Sequence, residues 1–361
     1  MSAKGDPVAA AAIGLFVLAL GAAGWYVLAD DAPSADKPAG GGVVDPAAPA
    51  SPSDPAVKPG PPGAAQADGW IPNSATQVRA KGQPPPATDA AKCRETPDLV
   101  DIAKGIATGF EAGLREATKV SDSEESQLGD RLEREAPRAE PFRGKWDPPG
   151  DVAKYGGYVN ALVKQLQQHT SRPGLRYRVH VIRDPAFNAF AMPGGVLAVH
   201  TGLFEGKLAL RNEAELMAVL GHELAHVERR HPVAAYQYAK AVLGNAADEA
   251  QLITHMLQMP IQSEYEHEAD SRGLALVAAA QYDPYAAVEL WQRQADEEPT
   301  RNPIDLLGAL DKVLHSHPLA SSRCARSLAE AGKLVAGSPF QRLYRGETNF
   351  TEHAPGPQRP H

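Results

Sequence analysis

The chain has 361 residues, of which 43% are hydrophobic and 22% are charged, and its formal net charge at pH 7 is -8. This length is enough for about two domains. The acidic balance and the lack of a basic cluster exclude nucleic acid as a partner.

The chain begins with an apolar segment. Residues Val8 to Ala29 carry no charged side chain and are long enough to cross a bilayer. We predict that residues 1–29 are a transmembrane anchor, with a cleaved signal peptide as the alternative. Lys4 before the run and Asp30 after it favour a cytoplasmic N-terminus, which puts the rest of the chain outside the cytoplasm.

A segment rich in Ala, Pro and Gly follows the apolar run. Residues 30–92 contain almost no large apolar side chains, so we predict a disordered or extended linker. A folded domain is predicted for residues 93–345 and a loose tail for residues 346–361. The two cysteines, Cys93 and Cys324, lie near the ends of this domain; outside the cytoplasm they favour a disulfide, and two free thiols are the alternative.

The first predicted elements of the domain are two helices and two strands. Asp98 to Leu132 and Val152 to Gln168 have the periodicity of helices. Tyr177 to Ile182 is typical of a strand because polar and apolar residues alternate and β-branched residues are frequent. Pro193-Gly194-Gly195 predicts a turn, and Val196 to Val199 predicts a second strand.

A helix with a metal-binding motif comes next. Apolar residues recur at helical spacing after Asn212, which is a suitable N-cap, and Pro232 is a plausible stop. Within this helix the chain reads H-E-L-A-H, from His222 to His226. Histidines four residues apart project from one helix face and can bind one ion. Glu223 is offset around the helix and is suited to act as a general base on a water at that ion.

A second helix supplies carboxylates. Glu266 and Asp270 share one helix face, and so do Glu264 and Glu268, so the spacing leaves both pairs open as the source of a third ligand. With Glu266 as the ligand, Asp270 can accept a hydrogen bond from a metal-bound imidazole. Two imidazoles, one carboxylate and one open position are the parts of a catalytic zinc site, so we predict one Zn²⁺ ion.

The remaining segments are predicted to be helical. A connecting helix is expected from Val233 to about Met259, and further helices from Pro284 onward. His231 lies five residues past His226 and cannot share its ligand face cleanly. The elements together predict a mostly helical α+β domain with a small sheet beside the metal-binding helix.

Several motifs resemble one family of zinc metallopeptidases, the HtpX/BepA type, which includes the CAAX prenyl proteases and the mitochondrial inner-membrane stress protease. The resemblance covers about residues 150–330 and rests on the following runs: N-A-F-A-M-P-G-G-V-L-A-V-H-T-G-L-F (188–204), G-H-E-L-A-H-V-E-R-R-H (221–231), E-H-E-A-D-S-R-G (266–273), Y-D-P-Y-A-A-V-E-L-W (282–291) and H-P (317–318). It implies a gluzincin-type metallopeptidase fold.

The resemblance also implies roles for single residues. It implies that the zinc ligands are His222, His226 and Glu266, that Glu223 is the catalytic base and that Asp270 supports a ligand. It also implies a supporting or packing role for His231. It implies that His317 approaches the metal, where it would stabilise the oxyanion or gate the cleft. The substrate would lie along a strand edge whose residues are Asn188, Ala189, Phe190, Ala191 and Gly194. An ordinary hairpin that covers the helix is the alternative for this segment.

The predicted function is hydrolysis of peptide bonds by a zinc metalloendopeptidase. The resemblance implies misfolded or misassembled proteins of the cell envelope as substrates and a role in quality control. With the N-terminal segment as an anchor, the domain is predicted to be membrane-anchored on the periplasmic side. If the N-terminal segment is cleaved, the domain is secreted. A zinc-stabilised chaperone or binding module with latent or absent activity is the alternative. An intramembrane prenyl-protein protease is disfavoured because only one spanning segment is visible.

Overall fold

Helices surround a small sheet in the part of the chain that this computed structural model describes. The described residues are 78–80, 82–90, 93, 120–244, 246–258, 263–296 and 320–354. Residues 1–77, which include the predicted anchor, lie outside these ranges, as do His317 and residues 355–361. Among the described helices, none is long and apolar enough to cross a membrane.

The predicted class, mostly helical α+β with a small sheet, is confirmed. The helices are α1 (Asp122–Glu135), α2 (Gly157–Gln167), α3 (Glu213–Glu228), α4 (His231–Leu243), α5 (Glu249–Gln258), α6 (Ser263–Ala279), α7 (Tyr285–Asp296), α8 (Ala320–Gly337) and α9 (Glu347–His353). The strands are β1 (Val78–Ala80), β2 (Arg178–Ile182), β3 (Ala189–Met192), β4 (Val196–His200) and β5 (Arg342–Tyr344). Shorter helical turns are Ala136–Arg138, Glu140–Phe142, Pro149–Asp151, Val152–Gly156, Pro193–Gly195 and Thr201–Leu203.

The central sheet is covered on both faces. Its strand order is β2-β4-β3, with β4 parallel to β2 and antiparallel to β3. Along β4, Leu197 and Val199 face the large hydrophobic core around α2, α3, α6 and α7, whereas Val196 and Ala198 face a second core with α1, α4 and α5. Every residue of β4 is therefore buried, as is usual for a strand between two layers of helices.

Local capping explains where the first helices begin. Asn212 is the N-cap of α3, as predicted, and its side chain accepts a hydrogen bond from the main-chain N–H of Glu215. The helical prediction for Asp98 to Leu132 is wrong at Ser121, and its part before residue 120 lies outside the described residues. Ser121 and Glu124 form a reciprocal capping box there, so α1 starts only at Asp122.

The single helix predicted from Val233 to Met259 is also wrong. The chain forms two helices, because α4 ends at Gly244, which adopts a positive φ of 73°. Asp248 and Gln251 exchange main-chain to side-chain hydrogen bonds and begin α5. Two such local signals outweigh the continuous apolar periodicity from which one helix was predicted.

The tail predicted to be loose from residue 346 begins with an ordered helix, so that prediction is wrong over α9. Its side chains Asn349 and Phe350 are buried. At the other end of the domain, β1 lies within the predicted linker and pairs with β5. The disulfide between Cys93 and Cys324, one of the two predicted alternatives, is present. These contacts fasten the described part of the N-terminal segment to the domain.

Two glycines let the helices α3 and α6 approach closely. A Cβ atom at Gly221 would lie 2.8 Å from the carbonyl oxygen of Gly273, and one at Gly273 would lie 2.7 Å from the main-chain nitrogen of His222. Both distances are too short for a carbon atom, so only glycine fits at these two positions. The helices that carry the predicted metal ligands therefore meet backbone to backbone.

A buried carboxyl group joins the start of α3 to the neighbouring elements. Glu213 accepts hydrogen bonds from the hydroxyl groups of Tyr158 and Tyr282, at 2.7 and 2.5 Å, and from the amide of Asn349. Burial raises the pKa of Glu213 above its usual value, although these donors oppose that shift. The folded protein therefore retains a proton on this group more readily than the unfolded chain does.

We predict that Glu213 makes the stability depend on pH. The unfolded carboxyl has a pKa of about 4.3, so above that pH the unfolded chain loses this proton first. The contribution of Glu213 is thus fully present at low pH and is lost as the pH rises through the raised folded pKa. In denaturant titrations from pH 4 to 8, the free energy of unfolding of the parent minus that of Glu213→Gln should fall as the pH rises.

Glu205→Gln is the matched control, since hydrogen bonds from Lys154 and Tyr155 lower the pKa of Glu205. The free energy of unfolding of the parent minus that of Glu205→Gln should therefore rise, not fall, as the pH rises. A constant difference for Glu213→Gln over this pH range would contradict the prediction.

A second prediction concerns the helix contact. Gly273→Ala should lower the free energy of unfolding by about 1–3 kcal/mol, because the added carbon overpacks a backbone contact. In Gly332→Ala, the control in α8, the new carbon would meet only the Tyr285 hydroxyl at 3.6 Å. That variant should be neutral or stabilised by up to about 1 kcal/mol through helix propensity. Equal effects of both substitutions in thermal or denaturant unfolding would contradict this account.

Candidate metal centre

The three predicted ligands meet between α3 and α6. The Nε2 atoms of His222 and His226 are 3.0 Å apart, and they lie 3.3 and 3.2 Å from the two carboxylate oxygens of Glu266. The side chains are buried, with exposed fractions of 4%, 4% and 0%. Within the described residues, this is the group of His, Cys, Asp or Glu side chains that could hold a metal ion.

The geometry fits a tetrahedral ion. Bonds of about 2.0–2.1 Å from zinc to nitrogen or oxygen put the ligand atoms of a tetrahedron about 3.3 Å apart. The distances of 3.0–3.3 Å are close to that spacing, and each histidine faces a different oxygen of the Glu266 carboxylate. Two imidazoles and one carboxylate form a donor set that zinc prefers, and three protein ligands leave a fourth position for water or substrate.

Charged groups behind the ligands fix the orientation of His222. Its Nδ1 lies 2.9 Å from Asp270, which in turn accepts two hydrogen bonds from Arg323, at 2.5 and 3.1 Å. The Arg323 guanidinium also stacks on Trp291, 3.7 Å from the ring centroid. The pair with Asp270 leaves the Nε2 atom of His222 directed at Glu266, which is the arrangement that a metal-bound imidazole requires.

The local field favours a positive charge at the site. Burial and the Arg323 cation disfavour a charged His222, but Glu266 and Asp270 outweigh them and raise the pKa of His222 to about 9. Burial also opposes ionisation of Asp270, yet Arg323 and His222 hold the pKa of that carboxyl well below its usual range. Two carboxylates that hold a proton here can hold a metal cation in its place.

The predicted base follows the first ligand along α3. Glu223 is 3% exposed, and no hydrogen bond joins its carboxylate to another of the described residues. Its carboxylate is thus available to a water or substrate. His231 is not among the ligands; its Nδ1 lies 2.8 Å from Nδ1 of His226, in agreement with the predicted supporting role.

The predicted substrate strand is the open edge of the central sheet. The opposite edge, β2, is partly paired, since the main chain of Asp147 donates to Val181. On the β3 side, the N–H of His200 donates to the carbonyl of Asn188. Hydrogen-bonded and non-bonded pairs alternate along an antiparallel ladder, so Phe190 bonds to β4 as well.

By the same alternation, Ala189 and Ala191 direct their N–H and C=O groups away from β4. No hydrogen bond joins these main-chain groups to another of the described residues. The strand packs against α3, which carries the two histidines. Gly194 differs from them, because it is buried in the turn after β3 and its N–H donates to Glu125. We therefore leave Gly194 out of the candidate edge.

Sequence reasoning missed Arg323 as a part of the site. The sequence did contain a signal for it, a cation on the apolar face of an amphipathic helix. In α8, Arg323 is buried together with Cys324 and Ser327. Only the fold reveals that this cation faces Asp270, which lies 53 positions earlier in the chain.

Comparison with known proteins agrees with this geometry. Residues 154–331 match the model of peptidase family M48. The mitochondrial metalloendopeptidase OMA1 of Schizosaccharomyces pombe is 36% identical over 181 residues, which are 46% of this chain and 50% of that protein. The OMA1 of Arabidopsis thaliana is 27% identical over 261 residues, 64% of this chain and 50% of that protein.

A bacterial relative is also similar. The beta-barrel assembly-enhancing protease of Escherichia coli (strain K12) is 24% identical over 245 residues, 62% of this chain and 47% of that protein. The chain thus spans about half the length of these curated relatives. The predicted resemblance is confirmed, and the two histidines and Glu266 lie within the matched segment: residues 154–331 of this chain are a peptidase family M48 domain.

Proposed function

We propose that the chain is a zinc-dependent metalloendopeptidase. The observation that carries this proposal is the convergence of three buried side chains whose facing donor atoms lie 3.0–3.3 Å apart, with Glu223 next to one of them on the same helix. A purely structural zinc site needs no adjacent base and usually has four protein ligands. A fourth ligand is not found among the described residues.

The residues of the chain divide the work as follows. His222, His226 and Glu266 would hold the ion, and Asp270 keeps His222 in the tautomer that leaves Nε2 unprotonated. Bound zinc would polarise the carbonyl of the scissile bond and lower the pKa of the attacking water. Glu223 accepts the proton of that water and passes it to the leaving amine.

The open edge of β3 supports binding of an extended peptide. Main-chain groups of Ala189 and Ala191 point outward at the spacing of one β-strand repeat, so a substrate could add to the sheet as a further strand. Backbone hydrogen bonds do not depend on the side chains of the substrate. Unfolded or misassembled proteins, which expose extended main chain, suit such a site.

We place the reaction in the cell envelope, with the domain outside the cytoplasm. The disulfide supports this location, because such bonds persist in oxidising compartments. The similarity to a beta-barrel assembly-enhancing protease supports misassembled envelope proteins as substrates and a role in their quality control. The N-terminal anchor on residues 1–29 and its insertion in the membrane remain part of the proposal, as does the approach of His317 to the metal.

One observation favours a second candidate function, a zinc-stabilised binding or chaperone module with latent activity. All three ligand residues are at most 4% exposed, and such burial is also typical of a site that only stabilises the fold. The next experiment separates the two functions.

We predict that Glu223→Gln of the full chain retains zinc and loses cleavage of unfolded casein by a factor of about 10²–10⁴, because the base is gone while all ligands remain. His222→Ala is the control and should lose zinc as well as activity. Zinc content is measured by atomic emission and cleavage by release of labelled peptides. Equal cleavage by the parent and Glu223→Gln would refute the mechanism. Zinc in both proteins without cleavage by either would favour the binding module.

A further prediction tests the open edge. Ala191→Pro removes an N–H that β4 does not use, so the sheet should persist while kcat/KM for an unfolded substrate falls about 3- to 10-fold, the equivalent of about one hydrogen bond. Ala191→Val keeps the N–H and should stay near the parent. Phe190→Pro removes an N–H that β4 does use and should lower the melting temperature instead. An unchanged kcat/KM for Ala191→Pro would exclude this edge as the binding site.

A further inference from the structure

The two ligand imidazoles are supported in different ways. His222 donates to a carboxylate, Asp270, whereas the outer nitrogen of His226 faces another imidazole. The Nδ1 atoms of His226 and His231 are 2.8 Å apart, and Nε2 of His231 lies 3.1 Å from Oε2 of Glu268. His226, His231 and Glu268 thus form a chain of hydrogen bonds that leads away from the metal centre.

A turn in the main chain brings His231 to this place. A regular helix would direct residue 231 about 140° around the axis from residue 226. Instead α3 ends at Glu228, and Arg230 adopts a left-handed conformation with φ of 61°. A non-glycine residue adopts this conformation only against backbone strain. The turn folds His231, the first residue of α4, back onto the ligand.

The helix that supplies Glu266 also holds His231. The ring of Tyr265 stacks on the His231 ring, with centroids 4.2 Å apart and planes 4° from parallel. Glu268 stands one helical turn beyond Tyr265 and reaches the far nitrogen of the same ring. His231 is 4% exposed, so its orientation is fixed by stacking, hydrogen bonding and burial together.

The carboxylate at the end of the chain determines where the protons lie. An ionised Glu268 only accepts hydrogen bonds, so Nε2 of His231 must donate to it. Neutral His231 then has an unprotonated Nδ1, which accepts a hydrogen bond from Nδ1–H of His226. His226 is thereby left with an unprotonated Nε2, the atom that faces His222 and Glu266. Each link sets the tautomer of the next.

We infer that Glu268 and His231 are positioning residues that act in series to hold His226 in its metal-binding tautomer. The inference rests on the proposed zinc centre and assigns a separate task to three carboxylates of α6. Glu266 binds the ion, Asp270 orients one imidazole directly, and Glu268 orients the other through His231. The expected consequence is a dependence of zinc affinity on Glu268, which is linked to His226 through His231.

The test is a double-mutant cycle on the full chain, with zinc affinity measured by competition with a chromogenic chelator. His231→Phe keeps the ring stacked on Tyr265 and removes both nitrogens. Glu268→Met keeps the length of the side chain and removes the acceptor. Each should weaken zinc binding about 10- to 100-fold, as is typical when a partner of a ligand is lost. In the His231→Phe background, Glu268→Met should have no further effect, because the link is already broken.

Two further variants separate positioning from folding. Glu268→Gln keeps an oxygen that can accept the hydrogen bond of His231, so it should restore most of the zinc affinity lost in Glu268→Met. His200→Phe replaces another buried histidine, in β4, and should leave the affinity unchanged. Melting temperatures of the zinc-free proteins report any general loss of stability, and a purely structural role would not give the rescue by Gln.

Three results would overturn the inference. The first is an unchanged zinc affinity of Glu268→Met. The side chain of Glu268 is 38% exposed, so this variant tests the hydrogen-bond chain even if His231→Phe does not fold. The second is an equal loss from Glu268→Met with and without His231, which would make the two residues independent. The third is no zinc binding by the parent, and this result alone would also overturn the proposed function.

Discussion

The close approach of α3 and α6 at Gly221 and Gly273 is the constraint on which the metal centre depends. Ligand atoms on two different helices must converge to about 3.3 Å to share one ion. A backbone contact sets that separation without relying on flexible side chains, so His222 and Glu266 meet at a fixed distance. The two glycines lower the stability of their own helices, since glycine inside a helix is about 1 kcal/mol less favourable than alanine.

A single helix, α6, serves both the ligand and the groups that orient the ligands. Glu266 and Asp270, four positions apart, face His222, whereas Tyr265 and Glu268, three positions apart, face His231. Because these side chains belong to one rigid element, a displacement of α6 changes ligation and ligand orientation together. The centre is therefore either assembled as a whole or not assembled.

The sequence predicted the parts of this site that depend on local spacing and missed those that depend on tertiary contacts. Two histidines four residues apart on a helix capped by Asn212 follow from periodicity alone. Spacing did not distinguish Glu266 from its neighbours, and the resemblance to a family was needed to choose it. Arg323 and the return of His231 depend on contacts across the fold, and the break at Gly244 depends on a single local conformation that an apolar pattern conceals.

The disulfide between Cys93 and Cys324 closes the main chain between them into a covalent ring. Cys93 and Cys324 are separated by 231 positions, and the three candidate ligands all lie between them. A single cut of the main chain anywhere in that ring leaves one covalently joined molecule, with Arg323 still beside its cysteine. The nicked form would differ from the intact form by only one added water. The two pieces would separate on a gel only after a reductant breaks the disulfide.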